Sequence, residues 1–240
     1  MQICTANASC HKVHAAIACC SMLLIMLSFS GCGQVQTVSG VQTMPTAFHT
    51  GGQRYVIDSA RSEIRLLVYR DGPLARLGHN HVITGSATGD VYVADSLADS
   101  GFRLLIPLQS FAVDLPGPRA EEGAEFAAAV SEAARAGTRH NMMGGGMLDA
   151  AQFPQIIVES VSLQGAREAP RVSALVMLHG KIQPLQFPAQ VQYDAERIVI
   201  TSRFSVLQSA LGLRPFSILG GALRVRDELE IHIRIVALKQ

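Results

Sequence analysis

The sequence predicts a mainly β domain, an antiparallel barrel or sandwich, with one helix inserted mid-chain. Three observations predict it. Apolar and polar residues alternate along many short stretches, Gly, Pro, Asp and Ser separate these stretches, and a single Ala-rich segment interrupts the pattern. Alternation with a period of two places the apolar side chains on one face of a strand. Many short strands separated by turn residues are typical of an all-β domain.

The alternation is clearest near the end of the chain, where four apolar residues stand two apart with polar residues between them. These apolar residues are Leu229, Ile231, Ile233 and Ile235. The same pattern, less regular, recurs along the preceding sequence and predicts seven further strands. They are expected at 62–70, 84–93, 102–108, 155–163, 171–179, 185–193 and 197–206.

The inner faces of these strands are expected to form the wall of a core or of a cavity. Residues 171–179 are apolar on both faces, so this strand is either covered from outside or lines a cavity. A small barrel either fills with side chains or holds one ligand. The candidate wall residues are Ile64, Leu66, Val68, Phe102, Leu104, Ile106, Val176 and Leu178.

The Ala-rich segment 121–136 is the predicted helix. Acidic residues begin it and Arg135 lies near its end, an order that suits the helix dipole, and Gly137 follows as a stop. Phe126 lies on its apolar face, so we expect the helix to cover the barrel as a lid with Phe126 against the interior. The stretch 139–154 is expected to be a loop, because it contains three consecutive glycines. His140 lies near its start.

The N-terminal residues 1–31 are predicted to be a signal peptide. Residues 15–29 are apolar and uncharged, which is the length of a signal-peptide core and too short for a comfortable bilayer span. Ser30 and Gly31 precede Cys32, an arrangement typical of a bacterial lipoprotein signal that is cleaved before a lipidated cysteine. We therefore expect a periplasmic lipoprotein, anchored to the membrane through Cys32. A plain secretory signal is the alternative.

Residues 32–53 are expected to be a flexible tether, because they are rich in Gly, Gln, Thr and Ser and carry no charge. The domain then spans 54–240, long enough for one core. All five cysteines lie at or before Cys32, so the domain has no disulfide and no thiol nucleophile. Among 20 basic and 19 acidic residues only Lys12 precedes the domain, which is therefore neutral, and this argues against nucleic acid as a partner.

His79 and His81 stand two apart, so in an extended strand their side chains point the same way. They could bind one metal ion, with His140 as a third ligand and Met142, Met143 and Met147 as soft ligands nearby. A periplasmic copper- or zinc-binding lipoprotein is therefore the alternative function. Histidines that only form hydrogen bonds at a barrel mouth are the other interpretation.

Catalytic motifs are missing from the sequence. It contains no Ser-centred elbow, no P-loop and no GxGxxG fingerprint, and its carboxylates form no pair suited to acid–base work. We therefore expect a protein that is not an enzyme and has no certain cofactor.

A series of motifs along the chain resembles the YceI-like family. In order they are YVID from Tyr55, S-x-I-x-L-x-V, G-x-x-x-G-D-V, LDAAQFPQI, L-x-G-x-I and V-x-D-E-L-E-I-x-I. The resemblance implies an extended eight-stranded antiparallel lipocalin-like barrel over about residues 54–238. It also implies a bound long-chain isoprenoid or fatty amphiphile, held by a non-catalytic carrier or storage protein of the bacterial envelope.

Such a ligand would lie in the apolar cavity, where burial is worth about 0.8 kcal/mol per CH₂ group. Its head group would lie at the mouth, near the loops and His140. The sequence does not decide the oligomeric state and leaves a dimer open.

Overall fold

Antiparallel strands make up most of the chain that the computed structural model describes, residues 42–45 and 48–240. The strands are β1 (Gln53–Ile57), β2 (Glu63–Asp71), β3 (His81–Gly85), β4 (Thr88–Val93), β5 (Gly101–Pro107), β6 (Ala112–Val113), β7 (Gln155–Ala166), β8 (Ala169–Leu178), β9 (Lys181–Pro188), β10 (Gln190–Tyr193), β11 (Arg197–Leu207), β12 (Ser217–Ile218) and β13 (Leu223–Lys239). The helices are α1 (Pro116–Ala120) and α2 (Glu132–Met143).

Several consecutive strands form pairs, and each pair is one longer strand with an interruption. β1 and β2 both pair with β13, one after the other along its length, and β4 and β3 pair with β1 and β2 in the same way. β5 pairs with β4, and β6 pairs with β3. Counted in this way, β1–β2, β3–β4, β5–β6, β7, β8, β9–β10, β11 and β13 make eight strands, with the short β12 paired to β13.

The eight strands curl into a barrel. At its seam β10 pairs with β11, whereas the ladder of hydrogen bonds stays open between β9 and the rest of β11. The two edges still meet there through side chains. Ser202 Oγ donates to the Pro188 carbonyl at 2.6 Å, and the rings of Phe187 and Phe204 stack with their centroids 4.9 Å apart. The predicted fold class, a mainly β antiparallel barrel of the lipocalin-like type, is confirmed.

The helix lies later in the chain than predicted. Residues 121–136 do not form one helix: a single tight turn at Ala124–Phe126 follows α1, and α2 begins only after Ser131. Ser131 Oγ accepts a hydrogen bond from Ala134 N at 3.2 Å and so caps the first turn. The helix then continues through Gly137 into the stretch expected to be a loop, and Gly144 follows its last residue.

The barrel interior holds the main core, as expected from the alternation. Ile64, Ile106, Val176 and Leu178 are all buried and belong to one continuous apolar cluster. None of the helices in the described part of the chain is long and apolar enough to cross a membrane.

Part of the expected tether lies against the barrel. Gln42 N donates to the Gly180 carbonyl at 3.2 Å, and the side chain of Met44 is buried. The predicted signal peptide, the lipidation site at Cys32 and residues 33–41 fall outside the described residues.

Candidate functional site

A cavity of about 240 Å³ lies inside one end of the barrel. β2 and β3 form one wall, β13 forms another, and α2 with the loop after it covers the cavity. Most of the lining is apolar. Leu66, Val68, Ile83, Met142, Leu148 and Leu229 contribute to it. We call this cavity the chamber.

The register of β2 and β13 defines the inner and outer ends of the chamber. Leu66 pairs with Ile231 and Val68 with Leu229, whereas Arg70 and the neighbouring Arg224 lie where the two strands reach the end of the barrel. Both arginines line the chamber, and so does His79. The chamber therefore changes from apolar at its inner end to cationic and hydrogen-bonding at its outer end.

Helix α2 presents one face to the chamber. Ala134, Thr138, Asn141 and Met142 all line it, at spacings of four, three and one residues. Positions three and four apart lie on the same side of a helix, so the sequence places a small, two polar and one apolar side chain along one stripe. The helix thus acts as the lid that was expected of residues 121–136.

His81 connects the chamber to a buried carboxylate. Its Nδ1 lies 2.7 Å from Asp114 Oδ2, and its Nε2 lies 3.3 Å from Thr138 Oγ1. An ionised carboxylate only accepts hydrogen bonds, so Nδ1 carries a proton and donates it. In the neutral ring Nε2 then accepts from the Thr138 hydroxyl. This chain of hydrogen bonds fixes the orientation of the imidazole between β3 and α2.

Asp114 is nearly inaccessible, with 1% of its side chain exposed, and it is satisfied on every side. Oδ1 accepts from Val82 N at 2.9 Å and from Arg119 Nη1 at 2.6 Å. Burial alone would raise the pKa of Asp114. The hydrogen bonds from His81 and Val82, together with the positive charge of Arg119, outweigh burial and hold that pKa below its usual range. The carboxylate therefore stays ionised beneath the chamber.

A family model described as the YceI-like domain matches residues 55–237. The chain belongs to the YceI-like family. The resemblance inferred from the order of motifs is thus confirmed, over nearly the whole domain. A comparison with curated protein sequences gave no match.

Two solved structures share the YceI-like fold. One is a polyisoprenoid binding domain from Saccharophagus degradans implicated in plant cell wall breakdown, with 14% identity and a TM-score of 0.53 over 78% of this chain and 98% of that one. The other is BcnA of Burkholderia cenocepacia, with 14% identity and a TM-score of 0.51 over 75% of this chain and 98% of that one. At this identity the likeness concerns the fold.

The structure distributes the predicted wall residues of this YceI-like barrel over two cavities and the core between them. Leu66 and Val68 line the chamber. Phe102 and Leu104 line a second cavity of about 70 Å³ towards the other end of the barrel. Ile64, Ile106, Val176 and Leu178 are packed in the core and line neither cavity.

Two predicted site residues lie elsewhere than expected. Phe126 packs on the outside of the barrel against Leu67 and Val82, because the turn that carries it precedes α2. His140 is exposed and does not line the chamber, because the chamber face of α2 passes through Thr138 and Asn141 instead.

The histidine pair does lie at the chamber, but not as a metal centre. His79 and His81 both line it, with ring centroids 6.2 Å apart, and both ring nitrogens of His81 already have hydrogen-bond partners. In the part of the chain that the structure describes, no group of three or more His, Cys, Asp and Glu side chains is placed to hold a metal ion. The proposed copper or zinc site with His140 is therefore not supported.

Several site residues were missed from the sequence. Arg70 continues the alternation of Leu66 and Val68, so this pattern would have placed it on the same wall. Asp114 and Thr138 gave no such signal, because only the pairing of β3 with β6 and the packing of α2 bring them to His81.

Proposed function

We propose that this protein binds one amphiphilic molecule, of the isoprenoid or fatty class, with its chain in the chamber. The observation that carries the proposal is the gradient of the chamber, from an apolar inner end to an outer end with Arg70, Arg224 and His79. An apolar pocket with a few convergent polar groups is the usual form of a small-molecule site. The Saccharophagus structure of the same fold is a polyisoprenoid binding domain, which supports this choice of ligand class.

The charges of the chamber indicate which end of the ligand lies outermost. None of the described residues that line it is acidic, whereas Arg70, Arg224 and His79 supply hydrogen-bond donors at its outer end. A head group that accepts hydrogen bonds is therefore stabilised at the outer end. The chain is stabilised by burial, at about 0.8 kcal/mol per CH₂ group.

The proposed role is that of a non-catalytic carrier or store in the bacterial envelope. The apolar segment 15–29 and the small residues before Cys32 support export as a periplasmic lipoprotein. The intact mass of the protein purified from membranes tests this part. Cleavage before Cys32 with added acyl mass is expected, and an unmodified N-terminus contradicts it.

Lipid extraction and mass spectrometry of the purified protein test the binding function. A stoichiometric long-chain amphiphile is expected with the wild-type protein. Val68→Phe narrows the chamber and should reduce the bound amount severalfold, whereas Val161→Phe, at a strand position 51% exposed on the outside, should not. Circular dichroism confirms that both variants are folded. A wild-type protein free of lipid that also takes up no fluorescent fatty probe contradicts the proposal.

A further inference from the structure

Two adjacent loops form the rim at the outer end of the chamber. The first comprises residues 72–78. The second comprises residues 217–222 and begins with the short β12, and Leu74 N donates to the Ala222 carbonyl at 2.8 Å to join the two. Gly72 lies so close to the second loop that a Cβ there would meet the Ala222 oxygen at 2.6 Å. The chamber residue Gly78 ends the first loop, and the chamber residue Leu223 directly follows the second. The loops therefore border the end through which the ligand would enter.

The rim exposes three large aliphatic side chains. Leu77 is 61% exposed, Leu219 66% and Ile218 42%. Single exposed apolar residues are common on protein surfaces, but a group of them on neighbouring loops indicates an interaction site. Leu219 is also held in the left-handed backbone region, with φ of 53°, where glycine is the usual residue.

The rim and the stretches that flank it are also cationic. The stretches 72–82 and 210–226 contain no Asp or Glu, yet they carry Arg76, Arg214, Arg224 and Arg226. Asp71 at the border of the rim is paired with Arg224 at 2.9 Å. Aliphatic side chains among arginines are the composition of segments that lie in the interface of an anionic membrane.

We propose that this rim docks onto an anionic lipid bilayer, with Leu77, Ile218 and Leu219 inserted at the headgroup boundary. The arginines then contact lipid phosphates, and the outer end of the chamber faces the bilayer. An amphiphile passes between membrane and chamber without crossing water. A second copy of the chain is a poorer partner, because a symmetric contact would place like charges of the two rims against each other.

Tryptophan fluorescence tests the docking directly, because the chain contains no tryptophan. Leu219→Trp places a single reporter on the rim, and Val161→Trp places the matched control on an exposed strand position outside it. With phosphatidylcholine vesicles that contain phosphatidylglycerol, the rim reporter should shift to the blue and be quenched by brominated lipids. The control should do neither. Both proteins carry the same N-terminal segment, so any anchoring by that segment is common to them.

The arginines are tested in the same assay. The double substitution Arg76→Gln and Arg214→Gln is added to Leu219→Trp. It should raise the vesicle concentration needed for half the shift about thirtyfold, because each basic group near an anionic surface strengthens membrane binding about fivefold. Arg171→Gln, an exposed arginine of β8, should leave it unchanged. Quenching that is absent, or equal with neutral vesicles, overturns the proposal. A blue shift that grows with protein concentration without vesicles overturns it in favour of self-association.

This proposal goes beyond ligand binding, and its failure is separable from failure of the proposed function. Uptake of a soluble fluorescent fatty probe in the absence of vesicles reports on the chamber alone. The rim variants should retain that uptake. Loss of uptake in the wild-type protein would contradict the proposed function without bearing on the docking.

Discussion

Asp114 lies at the centre of the polar cluster that fixes His81 beside the chamber. Asp114→Asn removes the charge that faces Arg119, of which only 10% of the side chain is exposed. Removal of one partner from a buried ion pair leaves the other uncompensated, so we expect a loss of about 3 kcal/mol in the free energy of unfolding. Urea denaturation at neutral pH measures it.

The same variant has a predictable dependence on pH. The folded-state pKa of Asp114 lies below its usual value near 4, so its stabilisation is complete above that value and is lost as pH falls through the lower folded pKa. The stability difference between wild type and Asp114→Asn should therefore shrink at acid pH. Asp90→Asn, which breaks only a surface pair with Arg54, should show a small difference throughout. A loss of stability in Asp114→Asn that stays the same from neutral to acid pH would contradict this account.

At the residue scale, spacing predicted neighbours along the chain but not partners across it. That His79 and His81 share one side followed from their separation by two, and both line the chamber. Asp114 is 33 positions from His81 and meets it only through the pairing of β3 with β6. The same spacing was also compatible with a metal site, because spacing does not show which groups form hydrogen bonds with the ring nitrogens.

At the element scale, helix α2 shows where propensity misleads. Alanine and acidic residues at 121–130 favour a helix in isolation, but Gly123 precedes a tight turn there, and the capping hydroxyl of Ser131 sets the actual start. Gly137, where the sequence pattern predicts the end of the helix, lies inside it. Contacts of α2 with β6, and the hydrogen bond from Thr138 to His81 of β3, compensate for the weak helix propensity of this segment.

Gly137 offers a test of that view. It lies in the helix interior, and a Cβ there would meet no atom within 4 Å, so Gly137→Ala should stabilise the protein by about 0.8 kcal/mol. Thermal unfolding measures the gain. Gly85→Ala is the opposite control, because its Cβ would lie 2.6 Å from the Phe111 ring and should lower the melting temperature. Stabilisation by both, or by neither, would contradict the packing described here.

At the scale of the whole molecule, the barrel was predictable and its empty space was not. Period-two alternation and the order of motifs predicted the antiparallel barrel. The breaks that divide four of its strands were not apparent, because residues such as Ser62 and Ala87 have no distinctive sequence signal. Ile64 and Leu66 share one inner face two residues apart, yet Ile64 is packed and Leu66 lines the chamber. Whether a given level of the barrel interior is filled or forms a cavity depends on the side chains of all the strands that face it.

Phe204 lies in the layer that separates the two cavities. It pairs with Ile231, which pairs in turn with Leu66 at the inner end of the chamber, and its ring stacks on Phe187 of the second cavity. Phe204→Ala should join the two cavities, at a cost of about 3 kcal/mol in stability. The joined space should accept longer chains, because each further CH₂ group is then buried.

Displacement of a fluorescent fatty probe by chains of increasing length measures this effect. In the wild-type protein the affinity should stop rising once the chain fills the chamber, and in Phe204→Ala it should continue to rise. Phe153→Ala is the matched control, because it removes the same ring where Phe153 packs on His179, away from both cavities. If Phe204→Ala shows the wild-type length limit, this layer does not set the chain length. If Phe153→Ala shifts that limit equally, the effect is one of general loosening.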